Sequence, residues 1–198
     1  QTIDGTFLIP ALIEGGRYTY NEIHYVRIDN CLIPVGETEY AKDVTFGYSS
    51  SNLREWIQEK TGGSILAKDI ASISIDSIRN GGPDQVHEQI LSLPKNVVCV
   101  VNALDWRDLE VFTLALLRAE LQGHNYICRT GPSFVPVRIG IEEYPFLTRE
   151  KIPQLETGVG GLTIVGSYVN NTTKQLNEVL QKGIVNSYPI DIETILDE

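Results

Sequence analysis

Short runs of β-branched and aromatic residues alternate along this chain with longer stretches in which apolar residues recur every three or four positions. That alternation predicts strands interleaved with helices. Thr6 to Pro10 is an apolar run of the buried-strand type. From Arg17 to Ile28, RYTYNEIHYVRI alternates apolar and polar residues about Asn21-Glu22, which predicts a hairpin. The polar run GETEYAKDVTFGYSSS predicts a long loop with a helical turn, and loops of that length in a compact domain tend to be functional or mobile. A helix is expected from Ser51 or Asn52. Glu55 would complete a capping box with Asn52, Leu53, Trp56 and Ile57 share one face, and Gly62-Gly63 ends the helix.

Further along, Ile70 to Ile75 alternates as a strand, and Asn80-Gly81-Gly82-Pro83 marks a turn before a helix from Asp84 to Leu93. Asn96 to Val101 is a continuous β-branched run of the kind buried on both faces of a parallel sheet. Asp105 caps a long helix carrying Leu109, Phe112, Leu116 and Leu117, which stops before Gly123. Tyr126 to Cys128 reads as a short strand, with helical turns from Ser133. A last strand at Leu162 to Val165 and a helix from Thr172 to Gln181, ended by Gly183, follow a linker-like stretch from Arg149 to Gly161. The boundary is placed near Gly158.

The expected fold is therefore α/β, a largely parallel sheet with flanking helices, plus the first strand-helix unit of a second domain. Ligands of such sheets sit beyond the carboxyl ends of the strands. By that rule Asn102, Arg129, Thr130, Gly166 and Ser167 all lie at strand exits.

Composition changes this picture only by exclusion. The formal net charge of −10 with scattered Lys and Arg argues against nucleic acid. A small anion remains open, because one arginine in a pocket holds a carboxylate whatever the global charge. No apolar run reaches membrane-spanning length and no signal-peptide layout opens the chain, so a cytoplasmic protein is expected. The 3 cysteines, Cys31, Cys99 and Cys128, lack metal or disulfide spacing and are expected as buried reduced thiols. The 3 histidines, His24, His87 and His124, are far apart and read as structural, so no metal site is indicated. Neither common nucleotide-binding glycine fingerprint occurs, and Ser167 lacks the setting of a hydrolase nucleophile.

Several residues stand out for their chemistry. Arg17 follows Glu14-Gly15-Gly16 directly after a buried strand, where its guanidinium could clasp a carboxylate with two parallel bonds or simply pair with Glu14 on a surface turn. Asp105 is explained as a cap, which leaves Asn102 at the same strand exit without a structural duty. Arg129, Thr130 and Ser133 form a short polar turn that reads as capping and surface charge, or as ligand contact. Glu37, Glu39, Lys42 and Asp43 read as a solvated face. Gly166 to Leu176, GSYVNNTTKQL, has the strand, polar loop and helix-start order that lets backbone amides collect phosphate.

The segments TFLIPALIEGGRYTY, VGETEYAKDVTFGYSSSNLREWIQEKTGG, VVNALDWRDLEVFTLALLRAE, CRTGPSFVPVRIGI and GGLTIVGSYVNNTTKQL together resemble the four-carbon acid sugar kinases, some of which carry a type III effector label. The resemblance runs in order through nearly the whole chain. It implies that residues 1–157 are the C-terminal part of an acid-sugar-binding N-terminal domain and residues 158–198 the start of an ATP-binding C-terminal domain. It further implies Glu14, Arg17, Asn102 and Arg129 as substrate-binding residues and Gly166, Ser167, Thr172 and Gln175 as ATP-binding residues, with ATP and Mg²⁺ as cofactors of the intact parent.

The family's acidic DD-x-TG block and its downstream glycine-rich phosphate loop have no match here. The chain is therefore expected to be the middle of a kinase that phosphorylates a threonate or 3-oxo-tetronate, inactive as this piece because phosphoryl transfer needs several groups together. The competing expectation is a non-catalytic, kinase-derived interaction or effector module. Expected partners are a small acid sugar and ATP, with self-association also in view.

Overall fold

The computed structural model describes residues 2–142, 145, 147–152, 160–167 and 169–191. Two compact units divide it, Gln1–Pro145 and Phe146–Glu198. The boundary expected near Gly158 lies outside the described residues.

In the first unit, four parallel strands follow the apolar runs: β1 (Gly5–Ile9), β5 (Ala71–Ile73), β6 (Val97–Val101) and β7 (Tyr126–Thr130), in the order β5-β6-β1-β7. The central strands are buried on both faces, which is why their sequences run apolar without alternating. On one face Phe7, Ile9, Cys99 and Val101 pack with Val86 and Ile90 of α2 (Gly82–Ser92), Leu109, Phe112 and Leu116 of α3 (Trp106–Leu121) and Phe134 of α4 (Phe134–Ile139). Phe7 and Phe112 meet edge to face at 5.1 Å. On the other face Leu8 and Val100 pack with Leu53 and Ile57 of α1 (Leu53–Lys60).

The helix starts show how local chemistry sets them. Asn52 caps α1 by accepting from the Arg54 N–H at 2.9 Å, while the expected box with Glu55 is relayed. The Ser50 hydroxyl accepts from the Asn52 N–H and donates to Glu55. In α3 the box is complete, with Asp105 accepting from the Arg107 N–H and Asp108 from the Asp105 N–H. Asp108, 2% exposed, also takes both prongs of Arg79 at 2.8 and 2.9 Å. Before α2, the expected turn is a π-type turn over Ser77–Gly81 that ends at Gly82, φ 66°.

A second, antiparallel sheet joins β2 (Arg17–Tyr20), β3 (Ile23–Ile28) and β4 (Cys31–Pro34). The hairpin turns at Asn21 and Glu22, both at positive φ, as the alternation predicted. The third strand, β4, was not foreseen, and it leaves Cys31 exposed rather than buried. Cys99 is buried and Cys128 half-buried; burial pushes their thiols up to about 12 and about 11. The small sheet is tied to the large one by a bridge of two backbone hydrogen bonds between Thr19 and Ala103. The loop after β4 carries two 3₁₀ turns, Val35–Glu37 and Glu39–Lys42.

In the second unit, α5 (Asn170–Gln181) forms as expected, starting slightly earlier. Leu162 to Val165 is not a strand. A strand exists only through a ladder with a neighbour, and this segment has none among the described residues. Among the described residues, no helix is long and apolar enough to cross a membrane.

Candidate functional site

A cavity of about 320 Å³ opens at the carboxyl edge of the large sheet, on the α1 side. Leu8, Pro10 and Leu12 from the β1 exit, Leu53 from α1 and Val35 form an apolar lining. Two guanidiniums reach into this apolar setting. Arg17 comes from the start of β2 and Arg129 from the end of β7, so two of the residues singled out in the sequence share one cavity.

Each guanidinium rests on an aromatic ring. The Arg17 Cζ lies 4.4 Å from the centre of the Tyr40 ring, and the Arg129 Cζ lies 5.0 Å from that of Trp56. Neither arginine forms an ion pair among the described residues, and no carboxylate lines the cavity. The alternative pairing of Arg17 with Glu14 does not occur. Glu14 instead accepts a 2.6 Å hydrogen bond from the Ser133 hydroxyl, whose oxygen accepts from the Ile13 N–H at 2.8 Å.

The remaining wall is polar but uncharged. His24, 6% exposed, lies in the cavity wall with Nδ1 3.1 Å from the Thr19 hydroxyl. Burial first, and then the positive charge of Arg17, lower its pKa to about 4, so the ring is neutral. Burial pushes the Tyr48 phenol up, against a smaller opposite pull from Arg17, and it remains protonated. Ser50, Thr130 and Gly131 complete the polar part. The sequence had marked His24 only as structural; its place beside Arg17 follows from the β2–β3 register, which no single-residue pattern shows.

Two backbone features set the arginines in place. Gly16, at φ 69°, lets the chain turn tightly before Arg17, and a Cβ there would meet the Arg27 Cβ at 2.9 Å. Gly131, just after Arg129 and Thr130, passes so close to β1 that a Cβ would meet the Ala11 carbonyl oxygen at 2.2 Å. The two strand exits are stitched together there. The Gly131 N–H donates to the Ile9 carbonyl at 2.7 Å and the Ser133 N–H to the Ala11 carbonyl at 3.3 Å.

The family model described as the sugar-binding N-terminal domain matches residues 1–138. The chain belongs to this family. It is the family of the four-carbon acid sugar kinases to which the sequence segments pointed. No curated protein matches the chain significantly. Among solved structures, a Haemophilus influenzae protein of family DUF1537 is similar over 90% of this chain and 39% of its own, at 20% identity and a TM-score of 0.51. A DUF1537 domain from Bordetella bronchiseptica, solved with bound citrate as a domain-swapped dimer, is similar over 69% of this chain and 28% of its own, at 20% identity and a TM-score of 0.50. These likenesses agree on the fold, and the chain spans well under half the length of either structure.

Within this sugar-binding domain the other residues singled out take different places. Asn102, 1% exposed, lies outside the cavity lining. Its amide oxygen accepts from the Glu22 N–H at 3.0 Å, and its NH₂ donates to the Ile73 carbonyl at 2.9 Å and to the Ser72 hydroxyl at 3.1 Å. Asn102 thus has the structural duty that sequence alone left blank, fastening the hairpin turn to the end of β5. Glu14 is exposed and engaged with Ser133.

Gly166, Ser167, Thr172 and Gln175 belong to the second unit. There Gly166, Ser167 and Gln175 are exposed, and the Thr172 hydroxyl donates to the Ser167 hydroxyl oxygen at 3.1 Å. Among the described residues no side chain caps α5, and first-turn backbone N–H groups without a cap suit a phosphate group in kind.

Proposed function

We propose that this chain is the acid-binding portion of an ATP-dependent kinase that phosphorylates a hydroxyl of a four-carbon acid sugar, of threonate or 3-oxo-tetronate type. The observation that carries this reading is the pair of unpaired guanidiniums, Arg17 and Arg129, opening into one cavity without an acidic side chain. An arginine backed by a ring presents its planar fork edge-on to an oxyanion and holds it bidentately. Thr130 and Tyr48 line the same cavity and would meet sugar hydroxyls, and neutral His24 would add a hydrogen-bonding wall without adding charge. The citrate held by the Bordetella structure is a carboxylate ligand of the same general chemistry.

In this reading residues 1–157 are the acid-sugar side and residues 158–198 begin the nucleotide side. Gly166, Ser167, Thr172 and Gln175 would meet ATP, with the first-turn N–H groups of α5 and the paired hydroxyls facing its phosphates. Bound ATP with Mg²⁺ supplies the phosphoryl group. Glu14 sets the β1 exit through Ser133, and Asn102 sets the hairpin that carries His24, so both act on the site through their neighbours. The piece by itself is expected to bind acid and not to turn it over.

Calorimetric titration of the 198-residue chain with a panel of four-carbon acids tests the binding half. A coupled ADP-release assay on the full-length parent tests the kinase half. Absence of binding to every acid by folded protein, with no turnover by the parent, would remove the reading.

A further inference from the structure

We propose that Tyr40 is the positioning residue of Arg17: its ring sets the direction in which the guanidinium enters the cavity, so the loop after β4 governs acid affinity through a side chain that does not touch the acid. This rests on the acid-binding reading above and assigns a further residue to the same site.

Arg17 needs such a support. Its guanidinium forms no ion pair among the described residues, and no carboxylate lines the cavity to hold it. A long side chain without a fixed partner samples many rotamers, and an arriving acid must order it at a cost in affinity. The Tyr40 ring narrows that choice beforehand, with the Arg17 Cζ 4.4 Å from its centre. A guanidinium lying on a ring face keeps its N–H groups in their own plane, free for two parallel bonds to a carboxylate. Tyr40 itself is absent from the cavity lining, so its effect on the acid passes through Arg17.

The loop holds the ring in place. Tyr40 is half-buried in the 3₁₀ turn Glu39–Lys42. Beside it the Ala41 N–H donates to the Thr38 carbonyl at 3.3 Å, and the Ala41 carbonyl accepts from the Tyr48 N–H at 3.0 Å. The Thr38 hydroxyl donates to the Val35 carbonyl at 2.7 Å. Where the loop leaves and returns, the Gly36 N–H donates to the Ser51 hydroxyl oxygen at 2.8 Å, which closes it into a compact surface loop. Val35, Tyr48 and Ser50 of this segment line the cavity, so one wall and the ring under Arg17 come from the same piece of chain.

Calorimetric titration of the intact 198-residue chain with erythronate and threonate tests this in the wild type, Tyr40→Leu and Tyr40→Phe. Tyr40→Leu is expected to weaken binding of the acid by about fivefold, and Tyr40→Phe, which keeps the ring face, to stay within about twofold of the wild type. In an Arg17→Gln background Tyr40→Leu should lose its effect, because the guanidinium that the ring steers is gone.

Wild-type affinity in Tyr40→Leu, equal losses in Tyr40→Leu and Tyr40→Phe, or an undiminished loss on top of Arg17→Gln overturns the positioning role and leaves the acid-sugar reading standing. Absence of acid binding by the folded wild-type chain overturns both. If Arg17→Gln binds too weakly to titrate, the contrast between Tyr40→Leu and Tyr40→Phe decides alone. If Tyr40→Leu does not fold, as judged by circular dichroism, Tyr40→Met takes its place.

Discussion

The Arg129 guanidinium at the end of β7 lies against the face of Trp56, one turn into α1, so a residue of the sheet is aimed by a residue of the helix that covers it. Trp56 also packs against the apolar cluster of Leu8, Leu53 and Ile57. Replacing it by Leu keeps apolar bulk and removes the ring face. Trp56→Leu is expected to weaken acid binding by about fivefold with little change in stability, while Trp56→Phe recovers most of the loss. Calorimetric titration of the three proteins reads this directly.

His24 makes a prediction about pH. Its folded pKa of about 4 lies below the ordinary 6.5, so between those values the unfolded chain binds more protons than the folded one. The protein should therefore lose stability as pH falls from about 6.5 to about 4, by roughly 3 kcal/mol from this group, and no further below. Urea unfolding at pH 7 and pH 4.5 gives the difference. In His24→Gln the difference should shrink by most of that amount, whatever the variant's stability at pH 7.

Asp108 carries a larger structural share than its polar character promises. It is buried, takes two bonds from Arg79 and accepts the N–H groups of Leu104 and Asp105 at the start of α3. Asp108→Ala leaves those amides without their acceptor and is expected to cost about 3 kcal/mol in urea unfolding. Arg79→Ala, removing the half-exposed partner, should cost clearly less.

At Gly131 the close approach to the Ala11 carbonyl leaves no room for a methyl group. Gly131→Ala forces the turn after Arg129 away from β1. It should lower stability by about 2 kcal/mol and weaken acid binding, since the displaced turn moves Arg129 and Thr130 together. A variant that binds as the parent protein does would show that this turn does not position the site.

Much of the fold was legible because its strongest signals are local. NVVCVV could only be a doubly buried strand, Asp105 an obvious cap, and Asn21-Glu22 a tight turn between alternating residues. Arg129 and Arg17 could be set near strand ends of the sheet, and so near one another, because such signals locate where β1 and β7 finish. What escaped was pairwise. Four residues, CLIP, carry too little alternation to predict β4, and the ring partners Tyr40 and Trp56 are set by the packing of separate elements. The duty of Asn102 links it to Glu22, 80 positions away, and no spacing rule spans that distance. Leu162 to Val165 has strand composition, but composition supplies no neighbour to pair with.

The seam between the β1 and β7 exits, held by Gly131, Ser133 and Glu14, has a kinetic consequence. The lining segment around Pro10 and Leu12 and the turn after Arg129 are joined by hydrogen bonds, so an arriving acid should freeze little backbone. Encounter should then be a single fast step with no slow isomerisation behind it, and differences in affinity among acids should reside in how long each one stays.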